Sequence, residues 1–250
     1  KNDFKETKVE TIKENDISAL TKEDIINIAK ECGIVGLGGS GFPAYVKYKV
    51  NRPMDVVIIN AVECEPYITI DYKLLNEHFD EVLRGLKYIM KAVDAQRGVI
   101  AIKKNKRALI EKMNLAIANN TDNISVFTLD DVYPAGWEKY IVQRVTNKNY
   151  TTLPSEAGAV VNNASTAYAL CQAVERNQPL VDKLVTITGE GVRKPCNVHV
   201  KIGTAINDIL EKIGGYAANL GEAYFIAGGP MTGKAVMFDT LVVHRSLSSV

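Results

Sequence analysis

This sequence is poor in the residues that usually carry metal or disulfide chemistry. Its 250 residues include four cysteines, three histidines and one tryptophan. Cys32, Cys64, Cys171 and Cys196 are widely dispersed, with no C-x-x-C pair anywhere. An iron–sulfur cluster needs clustered thiolates, so no recognisable cluster motif is present. Cysteines this few and this scattered point to a reducing compartment rather than a disulfide framework. His78, His199 and His244 lie far apart with no cysteine or carboxylate at ligand spacing, which argues against a metal site and leaves each as a surface or interface residue. A formal net charge of +1 gives no case for nucleic acid, and the run Lys103-Lys104-Asn105-Lys106-Arg107 reads as the solvated start of a helix, with a weaker case for docking an acidic partner. No apolar run approaches the ~20 residues of a membrane span and no signal peptide is visible. Any membrane association is therefore expected through partner subunits. A chain of this length can bury roughly 70–75 % of its unfolded surface, enough for a substantial core.

Glycine, by contrast, is concentrated. Gly33, Gly36, Gly38, Gly39 and Gly41 fall within nine positions, Phe42-Pro43 follows, and Lys47 lies four residues beyond. Such spacing frees the backbone to take positive φ and to turn N–H groups toward a phosphate, with Lys47 as counter-charge. A helix opening at an N-cap on Thr21 and closing at Gly33, with Ile25, Ile28, Ala29 and Cys32 on one face, delivers the chain into this loop. The pattern is neither a Walker loop nor a dinucleotide fingerprint, since no Gly-Lys-Ser/Thr ending is present and no strand precedes it. From the loop alone, a phosphate cradle and a turn that packs helix on sheet stand level.

A second constellation follows. Asp55-Val56-Val57-Ile58-Ile59-Asn60 reads as a buried parallel strand, and it empties into Ala61-Val62-Glu63-Cys64-Glu65-Pro66-Tyr67. Ligands of open α/β sheets sit beyond the carboxyl ends of strands. Asn60, Glu63 and Glu65 there supply acceptors suited to ribityl hydroxyls, a flavin ring N–H or a nucleotide ribose. A solvated acidic turn would account for the charges alone.

Gly-Leu-Gly-Gly-Ser-Gly-Phe-Pro and then Asn-Ala-Val-Glu-Cys-Glu-Pro-Tyr resemble the C subunit of the Rnf electron-transport complex. They are also similar to the proline-reductase-associated electron-transfer proteins of anaerobic bacteria and, more distantly, to the flavin-bearing NADH-binding subunit of respiratory complex I. The resemblance continues through Tyr133-Pro134-Ala135-Gly136-Trp137-Glu138, Val160-Val161-Asn162-Asn163-Ala164-Ser165-Thr166-Ala167 and Gly228-Gly229-Pro230-Met231-Thr232-Gly233, so it spans about Thr21 to Lys234. It implies a non-covalent FMN site that takes a hydride from NADH and passes electrons on. Gly38, Gly39, Gly41 and Lys47 would form the phosphate and ribityl cradle, and Asn60 and Glu63 would reach the ribityl chain and ring. Tyr133, Gly136 and Glu138 would lie near the isoalloxazine and nicotinamide, and Asn162, Asn163 and Thr166 would close around the phosphate. Asn162-Asn163 precede the helical pattern Ala167, Leu170, Cys171, Val174, which would place them at a positive helix N-terminus. Two positions depart from the complex I pattern: Val62 replaces an acidic residue, and Trp137-Glu138 stands where a glutamate pair would be. Trp137 reads either as a ring-stacking residue or as packing at the start of a helix 138–145. Asp71 matches a polar position of the family and is expected to cap a helix beginning near Tyr72.

Alternating strands and helices define the first part: strand 56–60, helix 73–92, strand 99–102, helix 106–118 and strand 124–128. This order predicts a Rossmann-like α/β domain on a parallel sheet over residues 1–180, with 1–19 as an extended N-terminal segment. From Val181 the pattern is ββαβ: Leu184–Gly189, Val198–Gly203, a helix 205–213 and Tyr224–Ala227. It is expected to be a small β-grasp of the soluble-ligand-binding type over 181–250, here read as a scaffold for neighbouring subunits. The iron–sulfur module of Rnf C subunits would follow the Gly-Gly-Pro-Met segment, so the chain is expected to be a fragment or trimmed homologue whose clusters lie elsewhere. The functional expectation is a cytoplasmic, NADH-dependent FMN electron-transfer protein attached to a larger complex. The alternative is an adaptor that keeps the fold and has lost the cofactor.

Overall fold

A computed structural model describes residues 15–118, 122–218, 221–237 and 241–250. The first fourteen residues of the expected N-terminal segment lie outside it; Asn15 is tied down through its amide, which donates to the Val174 carbonyl at 2.7 Å.

Four parallel strands form the main sheet: β1 (Val56–Ala61), β2 (Gly98–Lys103), β3 (Ile124–Leu129) and β4 (Ala159–Asn163), in the spatial order β3-β2-β1-β4. β1 is buried along almost its whole length, as a strand covered by helices on both faces must be. One face carries Val57, Ile59, Ile100, Ile102 and Val160, packed under α1 (Lys22–Glu31), α2 (Ala44–Tyr48), α4 (Phe79–Ala92), α5 (Arg107–Ala118) and α7 (Ala164–Arg176). The other carries Val56, Ile58, Val99, Ala101 and Val161 under α6 (Glu138–Thr146). The chain winds outward from β1 to β3 over one face and returns over the other to place β4 beside β1. Right-handed crossovers require this change of face, and it makes the β1/β4 boundary the topological switch point.

Several elements differ from the sequence expectation. The helix expected over 73–92 is two helices, α3 (Ile70–Glu77) and α4, because His78 at φ −132° leaves helical backbone while its ring packs against Tyr168 at 5.2 Å. β4 and α2 were not expected as elements at all. Asp71 does not cap: it lies inside the first turn of α3, buried, with Thr69 at the N-cap position. α4 and α7 cross closely at Gly85, where an added Cβ would run into the Ala167 carbonyl.

Beyond α7 comes the β-grasp unit. β5 (Asp182–Ile187) and β6 (Cys196–Lys201) form an antiparallel hairpin, α8 (Ile206–Ile213) packs against it, and β7 (Phe225–Ala227) pairs with β8 (Lys234–Val236). The C-terminal segment runs parallel to β5 at Thr186 and Ser249. Val185, Ile187, Ile206, Ile209, Leu210, Val243 and Leu247 make its core.

Candidate functional site

The glycine loop is built as the N-terminal signals require. Thr21 and Asp24 form a reciprocal capping box on α1, and Gly33 at φ +67° turns the chain out of the helix. The Gly36 N–H donates to the Phe42 carbonyl at 2.8 Å and the Gly41 N–H to the Gly36 carbonyl at 2.9 Å, closing the loop. Thr166, fully buried on α7, accepts from the Leu37 N–H at 2.9 Å. Its hydroxyl thus anchors the loop from below, a different task from the phosphate contact expected of it. A Cβ on Gly38 would lie 3.0 Å from the Asn163 side chain, whereas Gly39, at φ +112°, faces open space. This is backbone held ready for a close approach.

Opposite the loop, the ends of β1 and β4 supply the polar groups. The Asn60 amide donates to the Gly136 carbonyl at 2.9 Å, and its oxygen accepts from the Val62 N–H at 3.1 Å. The Asn163 oxygen caps α7 by accepting from the Ser165 N–H at 2.9 Å; its amide donates to the Asp71 carboxyl at 2.8 Å. Glu63, at φ +43°, turns its carboxylate back over the start of α3, where it accepts from the Asp71 N–H at 2.6 Å and the Tyr72 N–H at 3.2 Å. Burial pushes the Glu63 and Asp71 carboxyls well above the ordinary carboxylate range, and mutual repulsion raises Glu63 further. Glu65 reaches the β-grasp unit, accepting from the Met231 N–H at 2.8 Å and from the Thr232 hydroxyl. Gly229 is what admits it, because a Cβ there would overlap the Glu65 carboxylate.

These groups enclose a cavity of about 460 Å³, lined on one side by Gly38, Gly39, Asn60, Glu63, Asp71, Gly136, Asn163 and Ser165. Its other wall comes from the β-grasp unit, residues 227–229, 232–234, 244 and 246–248. The volume lies in the range of cofactor pockets. Of the residues named from sequence, Gly38, Gly39, Asn60, Glu63, Gly136 and Asn163 are brought together here. Gly41 stands behind, against Ser246. Asn162 lies below, its oxygen accepting from the Tyr48 hydroxyl at 3.2 Å and its buried amide nitrogen without a partner among the described residues. Tyr133 is exposed and meets Trp137 edge to face.

Lys47 and Glu138 lie elsewhere. Lys47 donates to the Val161 carbonyl at 3.0 Å, on the open side of edge strand β4, and pairs with Glu138 at 3.3 Å. The other Glu138 oxygen accepts from the Tyr150 hydroxyl at 3.3 Å. Both border a separate groove with Phe42, Val46 and Met54. The helical register of α2, a five-residue element, turns Lys47 toward the sheet edge. Sequence reasoning also missed Ser165 and the whole second wall. Gly228–Gly233 carried a signal for that wall, whereas residues 244–248 carried none.

The donor set suits a flavin mononucleotide. Backbone donors at Gly38 and Gly39 with the Ser165 hydroxyl suit a phosphate, while Glu63, Asp71 and Asn60 suit hydroxyls and a ring N–H. The free space over Gly39 is the feature such a ligand would fill.

Fold and site together define an α/β flavin-domain protein with a β-grasp appendage. The family model described as Nuo51 FMN-binding domain matches residues 29–172, and the SLBB domain model matches 184–235. Among curated proteins, the C subunit of the proton-translocating ferredoxin:NAD(+) oxidoreductase complex of Clostridium ljungdahlii is 37 % identical over 86 % of this chain and 47 % of its own length. The C subunit of the Na(+)-translocating complex of Acetobacterium woodii is 32 % identical over 96 % and 53 %. Cobalamin reductase PduS of Salmonella typhimurium is 35 % identical over 87 % and 47 %. The chain belongs to the family of Rnf C subunits, and it spans about half the length of these relatives. A crystal structure of an air-oxidized NAD+-reducing NiFe hydrogenase shares the fold, with a TM-score of 0.72 at 19 % identity over 91 % of this chain and 46 % of that one.

Proposed function

We propose that this chain is the flavin-carrying part of an NADH-dependent electron-transfer subunit, with its flavin domain within residues 1–180 and its β-grasp within 181–250. The observation that carries this reading is the cavity at the β1/β4 switch point, where glycine backbone faces a row of polar acceptors. FMN, when bound, supplies a two-electron acceptor that can release its electrons singly. The chain's own contribution is to hold, orient and shield. Gly38, Gly39 and Ser165 take the phosphate end, and Asn60, Glu63 and Asp71 take the ribityl and ring polar atoms. Gly136, where an added Cβ would lie only 2.8 Å from the Cys64 sulfur, keeps backbone close to the ring. Glu138 serves as a positioning residue: clamped by Lys47 and Tyr150, it fixes the start of α6 directly behind Gly136. Nicotinamide would enter between this turn and the exposed Tyr133 and Trp137. Electrons would leave to iron–sulfur or other low-potential carriers outside this chain, in a complex joined to the membrane only by its partners. Among the described residues no helix is long and apolar enough to cross a membrane.

A second reading, an adaptor without cofactor, draws on the Lys47–Glu138 pair, which neutralises the one cation expected at the phosphate. Titration of the purified chain with FMN and FAD separates the two. The flavin reading expects tight FMN binding and weaker FAD binding, because a single phosphate cradle is present; no binding of either flavin supports the adaptor.

A further inference from the structure

A loop of the second domain lies on the glycine turn. Arg245 places its guanidinium 3.3 Å from where a Gly33 Cβ would stand, and the Ser246 Cβ lies 3.3 Å from the Cβ position of Gly41. His244, Ser246, Leu247 and Ser248 form part of the cavity wall that also holds Gly38 and Gly39. The loop is braced. Val243 and Leu247 are buried in the β-grasp core, the Thr186 N–H donates to the Ser248 carbonyl at 3.0 Å, and the Lys183 ammonium donates to the Arg245 carbonyl at 2.7 Å. Lys183 is 6 % exposed. Among the described residues no carboxylate pairs with Lys183 or Arg245. Burial alone holds the Lys183 ammonium down to about 8, and burial with the Lys183 charge depresses His244. Lys183 is thus a buried cation that holds the loop from behind, with the exposed His244 and Arg245 beside it, and no carboxylate among the described residues pairs with it. Buried charge is normally paired. Lys47 cannot take that part, being engaged by Glu138 and the Val161 carbonyl.

We propose that the loop His244–Ser248 of the β-grasp unit is the second half of the phosphate site, with the His244 imidazole and the Ser246 hydroxyl contacting a phosphomonoester held against Gly38 and Gly39. The Ser246 hydroxyl lies 3.0 Å from His244 Nδ1, so the pair is pre-set as one hydrogen-bonding unit. Lys183 fixes the loop and adds the field of its charge without touching the ligand. The proposal rests on the FMN reading and deepens it: the domain expected to be a scaffold selects flavin phosphate over flavin alcohol.

The test compares FMN with riboflavin, which differ only by the phosphate, by quenching of flavin fluorescence on the full chain. Wild-type protein is expected to prefer FMN. The double substitution His244→Ala with Ser246→Ala should weaken FMN binding about tenfold or more, as loss of charge-assisted contacts does, and leave riboflavin affinity unchanged. Lys47→Ala should leave the FMN-to-riboflavin ratio intact. A double variant whose ratio equals that of wild type overturns the proposal, as does a loss of preference in Lys47→Ala alone. Equal wild-type affinity for the two flavins overturns it while sparing the flavin site. Failure of the wild type to bind either flavin removes the FMN reading itself, and the proposal with it.

Discussion

At the residue scale, the Glu63–Asp71 pair is the most consequential feature of the cavity. Half-buried Glu63 and buried Asp71 set two carboxyls side by side, and the hydrogen bonds they accept come from neutral donors, the Asp71 and Tyr72 N–H groups and the Asn163 amide. Each carboxyl has its folded pKa raised above its unfolded value, so the folded state binds protons more tightly than the unfolded one. The stability this contributes is fully present below the ordinary carboxylate range and is lost as pH rises toward neutrality through the raised values. Asp71→Asn keeps the acceptor that Asn163 needs and removes one of the two titrations. It should raise stability at pH 8 relative to wild type and flatten the decline between about pH 5 and 8; thermal melts across that range decide, and a wild-type slope retained in the variant would refute the assignment. Glu138→Gln tests the neighbouring turn. The substitution weakens a half-buried pair with Lys47 and should slow anaerobic reduction of the FMN-loaded chain by NADH without releasing flavin. Stopped-flow bleaching alongside a flavin titration separates these effects, and flavin loss equal to the rate loss would show a general collapse of the site.

At the element scale, the strands of the main sheet were legible where apolar, largely β-branched residues ran together, as in β1 and β2. Boundaries of α1 were legible because Thr21 and Gly33 punctuate it. The short elements were not. α2 is five residues held by its neighbours rather than by any apolar period, and β4 hides its strand character because it ends in two asparagines needed at the cavity. The 73–92 region has an unbroken helical period, so nothing local announces the break at His78, which depends on Tyr168 from a distant helix. Much the same holds at the site: residues in glycine-rich or strand-end motifs were found, whereas side-chain direction, as for Lys47, was not. Gly85 illustrates a constraint that only packing reveals. On helix propensity Gly85→Ala should gain about 1 kcal/mol, yet the added methyl collides with the Ala167 carbonyl at the α4–α7 crossing. Overpacking of this kind costs about 1–3 kcal/mol, and here the neighbour is backbone that cannot swing away. Net destabilisation is expected in urea melts, and a more stable variant would mean that the two helices slide apart freely.

For the whole molecule, the cavity belongs to neither unit alone. The flavin-type domain offers the glycine loop and the strand ends; the β-grasp unit offers two arms, Ala227–Lys234 and His244–Ser248, that close over them. Glu65 is the rivet of the first arm, and Gly229 makes room for it. Replacing Gly229 by Ala puts a methyl where the Glu65 carboxylate sits, so the carboxylate must leave and its hydrogen bonds to Met231 and Thr232 must break. The arm is also tied by the β7–β8 ladder over three residues on each side and by the Gly228 N–H, which donates to the Ser249 carbonyl at 2.8 Å, so its central residues rest on Glu65. Hydrogen exchange should therefore rise in residues 228–234 while the β1–β4 sheet keeps its protection. The cavity wall would loosen as a whole, so FMN and riboflavin should weaken together, unlike the phosphate-selective loss expected when His244 and Ser246 are removed. Unchanged exchange in the arm with unchanged affinity for both flavins would show that the two units stay closed without Glu65, and that the second arm alone holds the lid of the cavity.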